Sequence, residues 1–525
     1  YENAIIFGHA KDGNLHFVIT QSFSDAHSIR KYEDFMDDVV ELVVQRYDGA
    51  LKGEHGTGRN MAPFVETEWG GEAYEIMKAL KSLIDPMNLL NPGVIINYDS
   101  NAHVSHLKSL PLIDSIVDKC TECGFCESHC PSRDLTLTPR QRIVVQREIA
   151  RLENDGSNTS VLNALIKDFQ YAGLDTCAID GLCATACPVD IDTGQLIKRF
   201  RRKAHAPNAQ HFAKFLSRNF KHLERFTRIG LRLGQALQFV VGSKATLEIT
   251  KLIQFILRIP IPKWKTDMPK AASGNLPKTA QAGAVAVYFP TCISRTIGSD
   301  PAPHSLAQTL VMLAERARVP LWIPKSSVGT CCGMPFSSKG YYKAYLEIIN
   351  RTIEQFWQWS EQGKRNVVID TSSCTYTLQN CRAELNPENQ TKFDNMVILD
   401  SIEFVHDYLL SRLKFNRLHE AVVLHPVCSV TKMDLTEKFE TIARLCANSV
   451  TIPINLGCCG FAGDRGLLFP ELTESATRTE AEEVCSNSYD GYYSSGSTCE
   501  LGMARATGKP YQSFLYLVER ATRES

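Results

Sequence analysis

Cysteine and histidine carry the chemistry of this sequence, and both occur in spaced groups. In the run Cys120-x2-Cys123-x2-Cys126-x3-Cys130-Pro131 the gaps are those with which thiolates hold iron–sulfur clusters. Soft sulfur ligands match iron, and two-residue gaps let successive thiolates face one small cluster. A second run, Cys177, Cys183 and Cys187-Pro188, repeats the spacing with Asp180 where its second cysteine would stand. In paired runs of this kind the fourth cysteine of each ligates the other cluster. Cys120, Cys123, Cys126 and Cys187 are therefore assigned to one [4Fe–4S] cluster. Cys130, Cys177 and Cys183 fall to a second, with Asp180 as candidate fourth ligand. A three-iron cluster and an oxygen-ligated four-iron cluster both stay open there. A pair of zinc sites is the bland alternative, disfavoured by the spacing and the proline that follows it.

From Ala284 onward the sequence repeats itself. Cys292 is followed after 38 residues by Cys331-Cys332-Gly333 and after a further 41 by Cys374. Cys428 is followed after 29 residues by Cys458-Cys459-Gly460 and after 39 by Cys499. The matched order makes chance a poor explanation. These Cys-Cys-Gly repeats resemble the cysteine-rich domains of heterodisulfide reductase. They are equally similar to the iron–sulfur subunits of glycolate oxidase and anaerobic glycerol-3-phosphate dehydrogenase. In those proteins a lone Cys, a vicinal pair and a closing C-x-x-C bind a cluster. Here Thr371-Ser372-Ser373-Cys374 and Gly496-Ser497-Thr498-Cys499 keep only the last closing Cys. Four thiols per half (Cys292, Cys331, Cys332 and Cys374; Cys428, Cys458, Cys459 and Cys499) still suffice for a cubane. Zinc and a redox-active vicinal dithiol stay open beside it. Cys381, Cys446 and Cys485 fall outside the pattern and read as buried core thiols.

At the other end, Gly8-His9-Ala10-Lys11-Asp12-Gly13-Asn14-Leu15-His16 sets two His on either side of a tight turn. Glu54-His55-Gly56-Thr57-Gly58 adds a carboxylate and a third imidazole on a glycine-rich loop. Two His and one Glu can hold a divalent metal with open positions, and His55 is left to act as a base. These motifs, with Asp85-Pro86-Met87-Asn88-Leu89-Leu90-Asn91-Pro92-Gly93, resemble the C-terminal part of the FAD-linked oxidase domain in vanillyl-alcohol-oxidase-type flavoproteins. Within that superfamily the resemblance is to D-lactate and D-2-hydroxyglutarate dehydrogenases, and it covers residues 1–97. It implies that His9, His16 and Glu54 bind the metal, zinc or manganese, that holds the substrate's carboxylate and hydroxyl. It also implies that His55 is the base and that Asn14 and Asn91 lie near the FAD. With the cysteine modules in this order, the whole chain looks like the C-terminal half of a fused FAD/iron–sulfur bacterial D-lactate dehydrogenase.

The implied reaction is oxidation of a D-2-hydroxy acid, D-lactate first, with electrons leaving through [4Fe–4S] clusters to a quinone or cytochrome. An imidazole, titrating near neutrality, suits removal of the hydroxyl proton. No G-x-G-x-x-G fingerprint of a nicotinamide enzyme is present. D-2-Hydroxyglutarate and glycolate stay open as substrates. A non-catalytic electron-transfer subunit and a disulfide reductase using the vicinal cysteines are the readings from other classes.

The elements that must position these groups read as follows. Ala4–Phe7 and Leu15–Thr20 alternate like strands, and Ser28–Tyr47, Glu72–Ile84 and Pro139–Leu152 read as helices. Each half of the repeat sets cysteines just after short apolar strands such as Ala284–Phe289 and Ala421–Leu424, at one edge of a small α/β sheet. The fold class is a multidomain α/β and α+β chain. Its expected domains are the C-terminal part of a flavin oxidase domain (1–99), an α-helical two-cluster ferredoxin domain (100–205) and a basic amphipathic linker (206–282). Two cysteine-rich domains (283–405 and 406–525) follow. With 525 residues and 18 Cys, metal clusters in a reducing compartment are favoured over a disulfide scaffold. The chain enters strand-like sequence at Tyr1 without a leader pattern, as expected of one that begins inside a domain; the family's FAD-gripping domain is expected upstream.

Charge is balanced overall, at −1, which gives no field for nucleic acid. Residues 198–270 break the balance, with 17 Lys and Arg against Glu224, Glu248 and Asp267, so this stretch is +14 and the remainder −15. Phe212, Leu216, Phe220, Leu223, Phe226, Ile229, Leu233, Leu237 and Val240 recur there at helical spacing. The basic face either docks on the acidic remainder or makes a peripheral contact with an anionic membrane. Pro260, Pro262 and Pro269, then Ala271–Gly283, read as a linker. The expected location is the cytoplasm or the inner face of the cell membrane.

Overall fold

Alternation at the start of the chain folds as an antiparallel hairpin of β1 (Ile5–His9) and β2 (Asn14–Val18), in register from Ile5–Val18 to His9–Asn14. The turn closes through Asp12 N–H to the His9 carbonyl at 2.9 Å. Gly8 is required: a Cβ there would lie 2.2 Å from the Asn14 carbonyl oxygen. The computed structural model describes residues 4–19, 21, 23, 25–107, 110–156, 158–257, 262–265, 267–298 and 303–523. Thr20 of the expected strand and Pro260 of the expected linker lie outside them.

Two units emerge. The first comprises Tyr1–Thr121 with Gln146–Leu162, the second Glu122–Val145 with Asn163–Ser525. In the first, Asp25 caps helix Ala26–Val40 by accepting the His27 and Ser28 N–H groups, and the chain continues as a π-helical turn over Glu41–Arg46. Helix Gly71–Ile84 ends at Asp85. That carboxylate accepts the N–H groups of Leu89 and Leu90 at 2.9 and 2.8 Å and folds the following loop back on itself. Met87, Leu89 and Leu90 are left exposed along the loop.

In the second unit Arg142, 1% exposed, organises the cysteine-rich segment. Its guanidinium donates to the Gly173 carbonyl and Ser132 Oγ, each at 2.8 Å, and reaches Cys130 Sγ at 3.6 Å. Further on, two parallel sheets carry the repeat. The first holds β3 (Ala286–Phe289), β4 (Leu321–Trp322), β5 (Asn366–Ile369) and β6 (Ile398–Asp400) in the order β4-β3-β5-β6. The second holds β7 (Leu418–His425), β8 (Ala447–Thr451), β9 (Gly491–Ser494) and β10 (Gln512–Ser513) in the order β10-β9-β7-β8. In each sheet the first and third strands of the half pair at the centre, and the second and fourth stand at the edges. The central strands β3, β5 and β9 and the carboxyl half of β7 are buried almost throughout, as strands covered on both faces of a parallel sheet are. Tyr288 and Val368 of the first sheet share one core with Val422, Leu424 and Tyr493 of the second and with helix Phe514–Ala521.

The basic stretch forms helix Pro207–Arg218 and then Phe220–Leu257, which breaks at Gly242 (φ 81°, ψ 165°) into two arms. Trp264 holds the arms together. Its ring occupies the space beside Gly234, its Nε1–H donates to Gln238 Oε1 at 2.6 Å, and its N–H to Thr250 Oγ1 at 3.1 Å. Part of the basic face docks on the rest of this unit. Lys214 and Arg218 pair with Glu347, Arg228 donates to the Arg295 carbonyl, and Glu224 forms a fully buried pair with Arg295. The apolar stripe is covered only at its start. Leu216, Phe220 and Leu223 pack on the first cysteine-rich core, whereas Phe226, Leu233, Phe239 and Val240 are exposed, Phe239 by 92%. Among the described residues no helix is long and apolar enough to cross a membrane.

Candidate functional site

Three imidazoles converge on one carboxylate in the first unit. The hairpin register sets the His9 and His16 rings edge to face with centroids 5.4 Å apart. His16 stacks on Phe7 at 4.9 Å, which fixes its plane. The Nε2 atoms of His9, His16 and His55 stand 3.5, 2.8 and 3.6 Å from Glu54 Oε1. His16 Nε2 is buried yet makes no aligned hydrogen bond. Ligand atoms of His9, His16 and Glu54 all lie within 4.8 Å of one another. A nitrogen–nitrogen–oxygen set with an uncommitted buried nitrogen, open to solvent on its other side, fits a divalent ion with free coordination positions. His55, 70% exposed, stands at the rim of this set. Gly56, at φ +69°, supplies the bend that carries it.

Asn14 and Asn91 sit in local turns. Asn14 Oδ1 accepts the His9 N–H at 3.0 Å, and its side chain abuts Gly53, so it clasps the hairpin to the Glu54 loop. Asn91 adopts φ +45° and its carbonyl accepts from Val94 N–H at 3.2 Å. Met87, Leu89 and Leu90, just before it, are exposed.

In the second unit Cys130, Cys177, Asp180 and Cys183 line one pocket, together with Arg142. Burial pushes the Cys130 and Cys183 thiols up, and carboxylates at Asp192 and Asp180 add to the effect at Cys183. Burial likewise raises the Asp180 carboxyl, whose Oδ1 accepts the Leu182 N–H at 2.8 Å. Three thiols and a carboxyl in one pocket, two of the thiols and the carboxyl resisting ionisation, with a guanidinium beside them, fit a bound iron cluster whose cations offset the thiolate charge. Cys123 is exposed, and Cys126 and Cys187 are half-buried. Cys120 belongs to the first unit, where its carbonyl accepts from Arg147 Nη2 at 2.9 Å.

The repeat gathers its thiols at the carboxyl ends of parallel strands. Cys292 follows β3 and Cys374 follows β5; Cys428 follows β7 and Cys499 follows β9. Cys292 and Cys331 Sγ are 3.9 Å apart, Cys332 and Cys374 3.2 Å, and Cys459 and Cys499 3.1 Å. The Gly333 and Gly460 N–H groups point at Cys331 and Cys458 Sγ at 3.4 Å. A neighbouring thiol (Cys331 against Cys292, Cys458 against Cys428) and burial hold Cys292 and Cys428 well above the ordinary thiol range. Both sets fit a thiophilic metal centre, which would draw off the protons.

Sequence reasoning missed one group here. His425, the last residue of β7 and fully buried, joins Cys459 and Cys499 within ligand distance. The signal was present, three residues before Cys428. Of the three cysteines outside the pattern, Cys381 and Cys446 are buried core thiols. Cys485 is a correction: it is exposed, because it ends helix Pro470–Cys485, where the last turn leaves the core.

Three family models match the chain. Residues 2–95 match the FAD linked oxidases, C-terminal domain; 116–191 the 4Fe-4S dicluster domain; and 286–379 the cysteine-rich domain. The chain joins a flavin-oxidase C-terminal domain to iron–sulfur modules. These matches support FAD and 4Fe–4S clusters as the cofactors that such domains serve. Among curated relatives, D-2-hydroxyglutarate dehydrogenase of Haemophilus influenzae is 27% identical over 285 residues, covering 43% of this chain and 28% of that protein. Glycolate oxidase subunit GlcD of Bacillus subtilis is 37% identical over 98 residues, covering 19% of this chain and 21% of that protein. Probable D-lactate dehydrogenase, mitochondrial, of Danio rerio is 35% identical over 91 residues, covering 17% and 18%. In each case the chain spans less than a third of the relative's length.

Proposed function

We propose that this chain supplies the substrate-activating residues and the electron exit of an enzyme that oxidises a D-2-hydroxy acid, D-lactate first. The observation that carries the reading is the convergence of His9, His16 and His55 on Glu54, in one chain with a pocket lined by Cys130, Cys177 and Cys183. Such an oxidation removes the hydroxyl proton and a hydride from the α-carbon, leaving a 2-oxo acid. His9 Nε2, His16 Nε2 and Glu54 Oε1 would hold the divalent metal. A bound metal would supply polarisation of the hydroxyl, FAD an acceptor for the hydride's two electrons, and the clusters a one-electron path onward. His55 Nε2 takes the hydroxyl proton, and its exposed rim position gives that proton a path to water. Phe7, stacked on His16, keeps the ring from turning away from Glu54. Asn14, by clasping the hairpin to the Glu54 loop, holds the two halves of the ligand set in register.

Cluster-borne single electrons call for a one-electron acceptor, a quinone or a cytochrome. A quinone acceptor gives the exposed helical arms a purpose. They present Phe226, Leu233, Phe239, Val240, Phe255 and Ile256 to solvent within the +14 stretch. Exposed apolar residues among cations suit a peripheral contact with an anionic bilayer. The cytoplasmic face of the cell membrane is the matching location.

The test uses the intact enzyme under anaerobic conditions with D-lactate, D-2-hydroxyglutarate and glycolate in turn. Flavin absorbance should bleach first and cluster absorbance after it, fastest with D-lactate. Bleaching by none of these acids, with thiol-dependent reduction intact, would replace this reading with that of a disulfide reductase. Cluster reduction only by an added flavoprotein would make the chain a pure electron relay.

A further inference from the structure

Cysteine spacing makes the two halves of the repeat look equivalent, but one side chain makes them chemically different. Three residues before the lone cysteine, the first half has Phe289 and the second has His425, both fully buried. A phenyl ring offers a metal nothing. The imidazole is held through Nδ1, 2.7 Å from Oε1 of the buried Glu480. Its Nε2 forms no aligned hydrogen bond and faces the Cys459 thiol. The imidazole's ligand atom lies within 4.8 Å of the Cys459 and Cys499 sulfurs, which are 3.1 Å from each other.

An imidazole anchored by a carboxylate on one nitrogen and facing thiols with the other is the arrangement in which metal-ligating histidines are held. A mixed nitrogen and sulfur donor set suits zinc, whose softness is intermediate.

We infer that the second cysteine-rich half holds a single zinc-class divalent ion on His425 Nε2, Cys459 and Cys499, with a third thiolate from Cys428 or Cys458. The site lies outside the segment matched by the cysteine-rich domain model, residues 286–379. It stands independently of the hydroxy-acid reading. Glu480 is a positioning residue for the imidazole. A redox-silent ion here makes this half a structural clamp and leaves electron carriage to the ferredoxin segment and the first half.

The test is metal analysis of the full chain, produced anaerobically with iron and zinc both supplied, beside His425→Ala, His425→Cys and Glu480→Gln. Wild type should carry one zinc per chain in addition to its iron. His425→Ala should lose that zinc with iron unchanged, and His425→Cys should retain it. Glu480→Gln should weaken zinc binding 10–100-fold in competition with a chelator. Cobalt substituted into wild type should show thiolate charge-transfer and tetrahedral ligand-field bands that shift in His425→Cys. Absence of zinc from wild type, loss of iron from His425→Ala, or a cobalt spectrum unaltered in His425→Cys would each overturn the inference. Should His425→Ala fail to fold, His425→Cys and Glu480→Gln decide alone.

Discussion

Lys432 Nζ donates to the main-chain carbonyl of Asp180 at 3.0 Å and lies 3.8 Å above the Tyr376 ring. The contact fastens the second cysteine-rich half to the residue that stands where the ferredoxin run would have a cysteine. Half-buried, this ammonium stands against Gly181, on the wall of a pocket lined by three thiols and a carboxyl. A positive charge there favours an added electron. Lys432→Met should lower the midpoint potential of the cluster held by Cys130, Cys177 and Cys183 by tens of millivolts, the order expected for one charge at an effective dielectric near 20. An EPR-monitored redox titration measures it; an unchanged potential would mean that solvent screens the charge.

Asp180 lines the same pocket as Cys130, Cys177 and Cys183. Asp180→Cys should complete the thiolate ligation and change the EPR spectrum of that cluster. Cys123→Ser should cost the other cluster, seen as iron and sulfide lost in parallel. An identical spectrum in Asp180→Cys would remove Asp180 from the ligand set.

His16 and His55 should separate cleanly. His16 provides the buried, uncommitted nitrogen, so His16→Ala should abolish binding of zinc or manganese at this site, measured by calorimetry, and with it activity. His55→Ala should leave the metal bound and slow flavin reduction about 10²–10⁴-fold, the usual worth of a positioned base. Near wild-type turnover in His55→Ala would assign the proton to another group.

The helical arms should bind anionic vesicles and be released as salt rises. Phe239→Glu with Val240→Glu, both strongly exposed, should weaken pelleting with such vesicles without lowering thermal stability. Lys221→Gln with Arg225→Gln should weaken binding at low salt and flatten its dependence on salt, while hydroxy-acid oxidation by a soluble dye stays the same. Equal binding to neutral and anionic vesicles would point to a protein partner for this face.

Asp85 offers a pH signature. The Lys81 ammonium and the N–H groups of Leu89 and Leu90 hold its carboxyl at about 2, below the ordinary 3.8. The unfolded chain therefore binds that proton more readily, so the contribution is complete above about pH 4 and fades as pH falls through 2. Asp85→Asn should flatten this part of the acid-unfolding profile and loosen the loop carrying Met87 and Leu89 at neutral pH, read by hydrogen exchange at Leu89 and Leu90.

Much of the molecule was legible because the relevant spacing is local. A four-residue turn between alternating stretches leaves few choices but a hairpin, and the hairpin alone sets His9 beside His16. Cysteines just after short apolar strands announced the two sheets, since parallel strands end together and their following loops share an edge. Glu54, 38 residues beyond His16, joins the histidines only through the path of the chain between them. His425 meets Cys459 and Cys499 for the same reason: β7 ends beside β9, and no local pattern encodes which side chain faces the gap. The basic stretch shows the limit most plainly. Helical spacing from Phe212 to Val240 specifies an apolar face, but not whether anything covers it. Packing against the first cysteine-rich core covers Phe220 and Leu223 and stops short of Phe226, because burial depends on what stands opposite a face rather than on the face itself.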